Sequence, residues 1–271
     1  MNDEIKSGWF QRMHQKLKSL KIYYLITGLF FLFLLFYLVF AILAPLKTLE
    51  KINSEFNPEP KEDWALANFN PKTDSILKAT AIVNSKLLLT EFDSICFSLN
   101  LNDSTINLVM QGVTIHSSKI SDFKMSKIFS KTDKGNFLKY LSTPFIVQYY
   151  KSSIVKVPIV VKDAPKDTVE ANKINSIPQL PPEKYVRVVF WFDKYLKIII
   201  EQKEKPAGKE KIKAIINKTV DKLQYFKNIT KGTFTFKIPE YQPWIKIQIP
   251  GDEAKTIFRA LPENAALAMD I

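Results

Sequence analysis

Hydrophobic residues are distributed unevenly along this chain, and the longest apolar run lies near its N-terminus. Residues 22–46 are twenty-five consecutive residues without a charge, rich in Leu and Phe. At about 1.5 Å of rise per residue, a helix of this length crosses a hydrocarbon core of roughly 30 Å. A secretory signal peptide has a shorter apolar core and a small-x-small cleavage site, but here two residues separate Ala41 from Ala44 and Pro45 follows. We therefore expect a retained transmembrane helix.

The segments that flank this run set its expected orientation. Residues 1–21 contain five basic and two acidic side chains, whereas the segment after the run mixes both signs. The positive-inside rule therefore predicts a single-pass inner-membrane protein with a cytoplasmic N-terminus and a periplasmic C-terminal domain. Residues 1–21 are also amphipathic, which predicts a helix seated at the membrane surface or a docking site for a cytoplasmic partner. The apolar residues of this segment are Ile5, Trp9, Met13, Leu17 and Leu20.

The pattern changes after the apolar run. Residues 47–72 include three prolines and are predicted to form a stalk or linker. Residues 73–271 are predicted to form the periplasmic domain, with a proline-rich polar stretch at 162–183 that favours an exposed loop or an internal hinge. The first predicted element of this domain is a helix whose apolar positions recur at helical spacing. These positions are Ile76, Ala79, Val83 and Leu87.

Two regions of the domain alternate apolar and polar residues and predict β-hairpins. In the first, the alternating run 95–101 is followed by a turn signal at 102–103 and by a second run at 106–110. In the second, residues 185–202 are expected to turn at Asp193 and Lys194. Each pattern predicts an antiparallel pair of strands.

The remaining segments mix both kinds of element. A helix at 209–226 presents Ile212, Ile216, Val220 and Leu223 on one face, and Asp252 is expected to cap a later helix. We also expect a helix at 136–141 and strands at 145–150, 154–161, 233–238, 244–249 and 265–271. The predicted fold class is therefore α+β: one N-terminal transmembrane helix, then a periplasmic domain with a mixed β-sheet and flanking helices.

The charge of the chain does not indicate nucleic-acid binding. The formal net charge is +12, but 36 of the 39 basic residues are lysine. Recognition of bases and phosphates favours arginine, and the expected topology places the domain away from nucleic acid. A lysine-coated surface is better explained by an anionic membrane or wall polymer nearby.

The chain has one cysteine, so disulfides within it cannot hold the domain together. Cys96 lies in the alternating run of the first hairpin, where a buried, unreactive thiol is expected. An intermolecular disulfide or a lipid modification are the alternatives.

Two stretches resemble the catalytic domain of the L,D-transpeptidase (YkuD-like) family, in the order in which that domain has them. FSLNLNDSTINLVMQGVTIHSSKI resembles its opening hairpin and third strand. PWIKIQIPGDEAKTIFRALPENAALAMDI resembles its C-terminal end, where a strand, a short helix with an acidic-alanine pair and a closing strand follow one another. The positions that carry this second match are Asp252, Glu253, Ala254, Phe258, Leu261 and Pro262.

The chain departs from this family at the catalytic position. Family members perform acyl transfer on peptidoglycan stem peptides with a nucleophilic cysteine preceded by histidine and glycine. Here Gln242, Pro243 and Trp244 stand where those residues would fall. The resemblance therefore implies a degenerate, catalytically inactive relative.

No other catalytic or metal-binding arrangement is evident in the sequence. The only histidine after the apolar run, His116, is expected to pair with residues near Leu89, far along the sheet from Cys96. Two histidines and one cysteine do not provide the usual zinc ligand sets, and the seven glycines form no phosphate-binding loop. We therefore predict no catalytic residue, no cofactor and no metal site.

Two surface features remain as candidates for contact and modification. Trp191, Tyr241 and Trp244 could line a face that binds sugar or a partner, although aromatic residues on strands are more often in the core. Thr168 lies in an Asp-Thr-apolar triplet that resembles the O-glycosylation motif of Bacteroidota. It falls in a predicted loop, where a glycan could be accommodated.

These observations favour a non-enzymatic function in the envelope of a Gram-negative bacterium. We expect a membrane-tethered scaffold or adaptor whose periplasmic domain contacts peptidoglycan or another envelope protein. The alternative is an accessory subunit of a multi-protein secretion or motility complex, and a wall-modifying enzyme with unrecognised acidic residues is the third reading. Whether the protein forms oligomers stays open.

Overall fold

The computed structural model describes residues 3–57, 71–156, 185–206 and 208–271, without the side chains of residues 3–22, 71, 72, 209, 213, 218 and 221. The chain divides into two compact units. The first, which we call the helical unit, comprises residues 1–47 and 220–241, and the second, the sheet unit, comprises residues 48–219 and 242–271. The predicted loop or hinge at 162–183, with Thr168, and most of the predicted stalk lie outside the described residues.

The described residues form five helices and nine strands. The helices are α1 (Asp3–Glu55), α2 (Pro71–Leu89), α3 (Lys134–Ser142), α4 (Gly208–Thr235) and α5 (Gly251–Ala260). The strands are β1 (Cys96–Asn100), β2 (Thr105–Met110), β3 (Val113–Lys119), β4 (Asp122–Met125), β5 (Phe145–Ser152), β6 (Arg187–Phe192), β7 (Lys197–Gln202), β8 (Trp244–Ile249) and β9 (Ala266–Asp270).

Helix α1 contains the long apolar run. Within the described residues it is the one helix that is long and apolar enough to cross a membrane, and 11% of its apolar window is buried. A helix in the core of a soluble protein would be mostly buried, and this apolar window is not. A signal sequence would meet the same criteria of length and composition.

All nine strands belong to one mixed sheet in the sheet unit, in the order β3-β2-β1-β9-β5-β6-β7-β8-β4. Both predicted hairpins are confirmed, as β1 with β2 and as β6 with β7. The pairs β1–β9 and β7–β8 are parallel and the others are antiparallel. The predicted α+β class with a mixed sheet is therefore confirmed.

The two faces of the sheet are covered differently. On the face that packs against α5, which we call the inner face, Phe97 and Phe190 pack together, and Phe258 of α5 packs on Phe190. The opposite face is the outer face. On the outer face, Leu89 of α2 and Cys96 of β1 form a buried cluster with two alanines of β9, Ala266 and Ala268. The short alanine side chains allow α2 to lie close to the sheet.

Helix α1 continues past its apolar run, and its last turns belong to the sheet unit. The backbone carbonyl of Asn53 accepts a hydrogen bond from the side chain of Asn136 at 3.1 Å. The ring of Phe56 lies 5.1 Å from that of Tyr140, edge to face. The start of the segment predicted as a stalk is thus helical up to Glu55 and packs against α3.

Four sequence predictions about the elements differ from the structure. The described residues of the strand expected at 154–161, which are 154–156, are not in a strand. Residues 233–238 were expected to be a strand, but they contain the end of α4 and the irregular chain after it. The apolar stripe predicted on α2 is exposed at Ile76, Val83 and Leu87, while the opposite face is buried. Asp252 does not cap α5, because the helix begins at Gly251 with Pro250 as its N-cap residue.

Candidate functional site

Four residues form a row across the outer face of the sheet. Tyr149 of β5 is paired with Trp191 of β6, Trp191 with Lys197 of β7, and Lys197 with Trp244 of β8. Residues that are directly paired on neighbouring strands project from the same face of a sheet. These four side chains therefore form a continuous line, which we call the aromatic row.

Within the aromatic row, neighbouring side chains hold the ring of Trp191 in place. Tyr149 and Trp191 stack with centroids 4.5 Å apart and planes inclined by 14°. The ammonium group of Lys197 lies 5.5 Å from the Trp191 ring, within cation–π range. Tyr149 is 55% exposed, whereas Trp191 and Trp244 are half-buried. The row therefore presents an open Tyr149 on one side of Trp191 and the positive charge of Lys197 on the other.

Such a surface suits a ligand with both apolar and polar parts. The C–H face of a pyranose ring packs on an aromatic ring, and the hydroxyl or carboxylate groups of the same sugar can accept from an ammonium group. Lys151, two residues after Tyr149 on β5 and on the same face, is exposed and adds a second positive charge. The arrangement has the chemistry to bind an anionic glycan.

Two of the three aromatic residues singled out in the sequence lie in this row. Trp191 and Trp244 are brought together, whereas Tyr241 belongs to the helical unit, where its ring contacts Tyr225 at 6.2 Å. Tyr149 and Lys197 were not predicted to belong to this face. For Tyr149 the reason is a bulge between Val147 and Tyr149, which turns Tyr149 to the face opposite Val147.

Next to the aromatic row, the outer face carries a buried ion cluster. Glu201 is 1% exposed, its Oε1 accepts from Nε of Arg187 at 3.1 Å, and its Oε2 lies 2.7 Å from Nζ of Lys246. Burial, with Glu201 nearby as the second cause, raises the pKa of Tyr185 to about 12. Because each charge has an opposite partner, the cluster is best explained as a device that fixes the register of β6, β7 and β8.

A histidine–carboxylate pair lies between β3 and α5. His116 Nε2 is 2.6 Å from Glu253 Oε2, and both side chains are about one-third exposed. Contrary to the expected pairing near Leu89, His116 is paired with Leu108, because β3 lies beside β2. Cys96 packs on the outer face, and burial raises the pKa of its thiol. His116 therefore contacts Glu253, whereas Cys96 packs in the outer-face cluster, and the two do not form a catalytic dyad.

A polar cleft of about 380 Å³ lies near the start of α5. Its natural anion site, the N-terminus of α5, is occupied by the chain itself, since the Gly251 amide donates to the Glu204 carboxylate at 2.9 Å. Asp252 and Lys255 on the cleft wall are also paired with each other, at 3.1 Å. Within the described part of the chain, no three His, Cys, Asp or Glu side chains are grouped to hold a metal ion.

Comparisons of the chain with protein family models, with curated proteins and with solved structures give no match.

Proposed function

We propose that this protein is a single-pass inner-membrane protein whose sheet unit lies in the periplasm and contacts peptidoglycan without catalysing a reaction. The observation that carries this proposal is the aromatic row, with Tyr149 exposed and Lys197 on the other side of Trp191. Helix α1 is the membrane anchor in this proposal. The positive charges before its apolar run orient the N-terminus to the cytoplasm.

Peptidoglycan has the chemistry that the aromatic row would bind. Its glycan strands present C–H faces of amino sugars, and its stem-peptide carboxylates are anionic. Tyr149 provides a ring for the first, and Lys151 and Lys197 provide charges for the second. The net charge of +12 adds a general attraction to the anionic wall.

The resemblance to L,D-transpeptidases supports the same assignment. Trp244 stands where that family has its nucleophilic cysteine, and it lies in the aromatic row. The predicted order of a strand, a short helix and a closing strand is present as β8, α5 and β9. In this proposal, an ancestral surface for wall substrates has lost its nucleophile and kept its ability to bind.

The test uses the full-length protein in detergent and purified sacculi. We expect the wild type to sediment with sacculi and the double variant Tyr149→Ala/Trp191→Ala to stay in the supernatant. Ile115→Ala, which removes another exposed apolar side chain from the sheet, is the matched control and should sediment like the wild type. Equal sedimentation of the wild type and the double variant would contradict the proposal, and release of muropeptides would indicate an enzyme instead.

A second candidate function, as an accessory subunit of a membrane complex, is favoured by helix α2. Ile76, Val83 and Leu87 are 59–64% exposed at spacings of seven and four residues, a pattern typical of a helix that packs on another helix. A photo-reactive amino acid at position 87 in the native host would give a defined protein adduct if this function applies. The same probe at the exposed Thr80 is its control.

A further inference from the structure

The end of helix α4 packs against the apolar run of helix α1 within the helical unit. Three pairs of rings are in contact: Tyr37 with Phe226 at 5.2 Å, Phe33 with Phe234 at 5.4 Å, and Phe36 with Phe236 at 5.9 Å. Phe33 lies thirteen residues before Leu46, the last residue of the run. At about 1.5 Å per residue, this contact is roughly 20 Å inside the run, near its middle.

The chain reverses direction at this contact and forms a tight tip. Helix α4 ends at Thr235, Phe236 adopts a φ of 51°, and the Lys237 amide donates to the Gly232 carbonyl at 3.0 Å. This is the hydrogen bond of a helix C-cap that usually has glycine at the left-handed position. A Cβ atom at Gly232 would lie 2.6 Å from the Lys237 carbonyl oxygen, so only glycine fits there.

The side chains at this tip are strongly apolar and open. Phe234 and Phe236 are 72% and 73% exposed, and Val220, Leu223 and Phe226 continue an exposed apolar face along the helix. A phenylalanine at a left-handed position, where glycine would be less strained, is unexpected for a surface turn in water. Both features are explained if the tip lies in lipid.

We propose that residues 220–241 form a helical wedge that enters the outer leaflet beside α1, with lipid acyl chains around Phe234 and Phe236. This inference rests on the proposed function, since it needs α1 to span the membrane. The polar groups agree with it. Thr235 Oγ1 donates to the Lys231 carbonyl at 2.8 Å, and the tip amide of Lys237 is also bonded, so these groups do not enter lipid unpaired.

The charges along the wedge fit anionic headgroups. Lys222 and Lys227, which lie nearer the start of the wedge than its tip, are exposed between the apolar residues. Long lysine side chains can extend from a buried backbone to the phosphate level. The helix from Val220 to Thr235 is about 24 Å long, which is shorter than a hydrocarbon core of about 30 Å, and it carries lysines along its length. The wedge is therefore unsuited to cross the membrane, and it fits a segment that enters one leaflet only.

Single-cysteine spin labelling in proteoliposomes tests this wedge. The one native cysteine is buried, so the unmodified chain serves as the labelling blank. Labels are placed by Leu32→Cys on the outside of α1, by Phe234→Cys at the tip, and by Glu240→Cys beyond it, all at exposed positions. Collision of each label with oxygen, which partitions into lipid, and with a water-soluble nickel chelate is then measured.

We expect the labels at 32 and 234 to collide mainly with oxygen, and the label at 240 to collide mainly with nickel. A nickel-accessible label at 234 with a lipid-exposed label at 32 would overturn the wedge and leave the membrane span intact. A nickel-accessible label at 32 would overturn the span itself. A label at 234 that meets neither quencher would place a second copy or another protein on the tip and would also overturn the wedge.

A second variant separates lipid contact from local strain. Phe236→Gly removes one apolar side chain of the tip and relieves the left-handed backbone. We expect its helix content to equal that of the wild type, while the label at 234 becomes more accessible to nickel. An unchanged accessibility would contradict a lipid contact at the tip.

Discussion

Ile120 and Ser121 are neighbours in the chain, yet their backbone amides bond to strand segments at opposite edges of the sheet. The Ile120 amide donates to the carbonyl of Ser104, next to β2, and the Ser121 amide donates to the carbonyl of Gln248 in β8, both at 2.8 Å. Since β3 and β4 are the first and last strands in the sheet order, this pair brings the two edges together. The sheet therefore curls around α5 until its edges meet at this corner, and fewer backbone groups are left open there.

Ser121→Pro should open this corner. Proline removes the amide that bonds to Gln248, and we expect a loss of about 1–3 kcal/mol in the free energy of unfolding, with faster hydrogen exchange in β4 and β8. Denaturant unfolding and hydrogen exchange measure the two effects. Ser121→Ala keeps the amide and should behave as the wild type; if both variants lose equal stability, the closure does not depend on this hydrogen bond.

Two leucines of α2 provide a second test. Leu89 is 1% exposed and packs on Cys96 and the alanines of β9, whereas Leu87 is 64% exposed. We expect Leu89→Ala to lower the free energy of unfolding by about 2–5 kcal/mol. Leu87→Ala makes the same chemical change and should alter it by less than about 0.5 kcal/mol. Equal losses would mean that the stripe predicted from sequence is also part of the core.

The α2 example shows why periodicity locates a helix better than its buried face. Ile76, Val83 and Leu87 recur at helical spacing, so the helix was predicted correctly. The face that packs on the sheet includes small or polar residues such as Ala81 and Ser85, which carry a weak apolar signal. Close approach to a strand with two alanines requires small residues, and a pattern based on hydrophobicity cannot identify them.

The same limit applies to the candidate site. The hairpin pattern located β6 and β7, and a strand was expected at β8, so Trp191 and Trp244 could be assigned to strands from the sequence. Their position in one row depends on the parallel pairing of β7 with β8, which joins segments separated by α4. Tyr149 depends on a bulge. Long-range register and bulges are set by tertiary packing, and short-range alternation does not encode them.

The buried carboxylate of Glu201 leads to a prediction on stability. Glu201→Gln would leave Arg187 and Lys246 without their shared negative partner, and we expect it to cost about 3–5 kcal/mol. Glu91→Gln, at an exposed position, should change stability by less than about 0.5 kcal/mol. The triple change of Arg187, Glu201 and Lys246 to methionine should recover much of the loss, because it removes the unpaired charges. Denaturant unfolding measures all three, and a stable Glu201→Gln protein would contradict the pairing.

The turn between β6 and β7 contains a lysine whose protonation is disfavoured by folding. Lys194 Nζ donates to the Thr143 carbonyl at 2.8 Å and lies 4.4 Å from the ring of Phe145. Burial lowers the pKa of Lys194 to about 8, although the neighbouring Asp193 carboxylate acts in the opposite direction. In the unfolded chain, a lysine has a pKa of about 10.4.

Between these two pKa values the unfolded state binds more protons than the folded state, so the contribution of Lys194 to stability increases as the pH rises. We expect the denaturant midpoint of the full-length protein in detergent to rise from pH 7.5 to 9.5. Above this range Tyr140 and Tyr185 lower the stability as the pH rises. Their pKa values are raised in the folded state, so in the unfolded chain these tyrosines lose their protons at a lower pH. Lys194→Met has no proton to lose and should flatten the rise, while the exposed Lys151→Met should retain it. If Lys194→Met and Lys151→Met have the same pH dependence, the Lys194 ammonium is solvated in the folded protein and the packing of this turn against Phe145 is not maintained in solution.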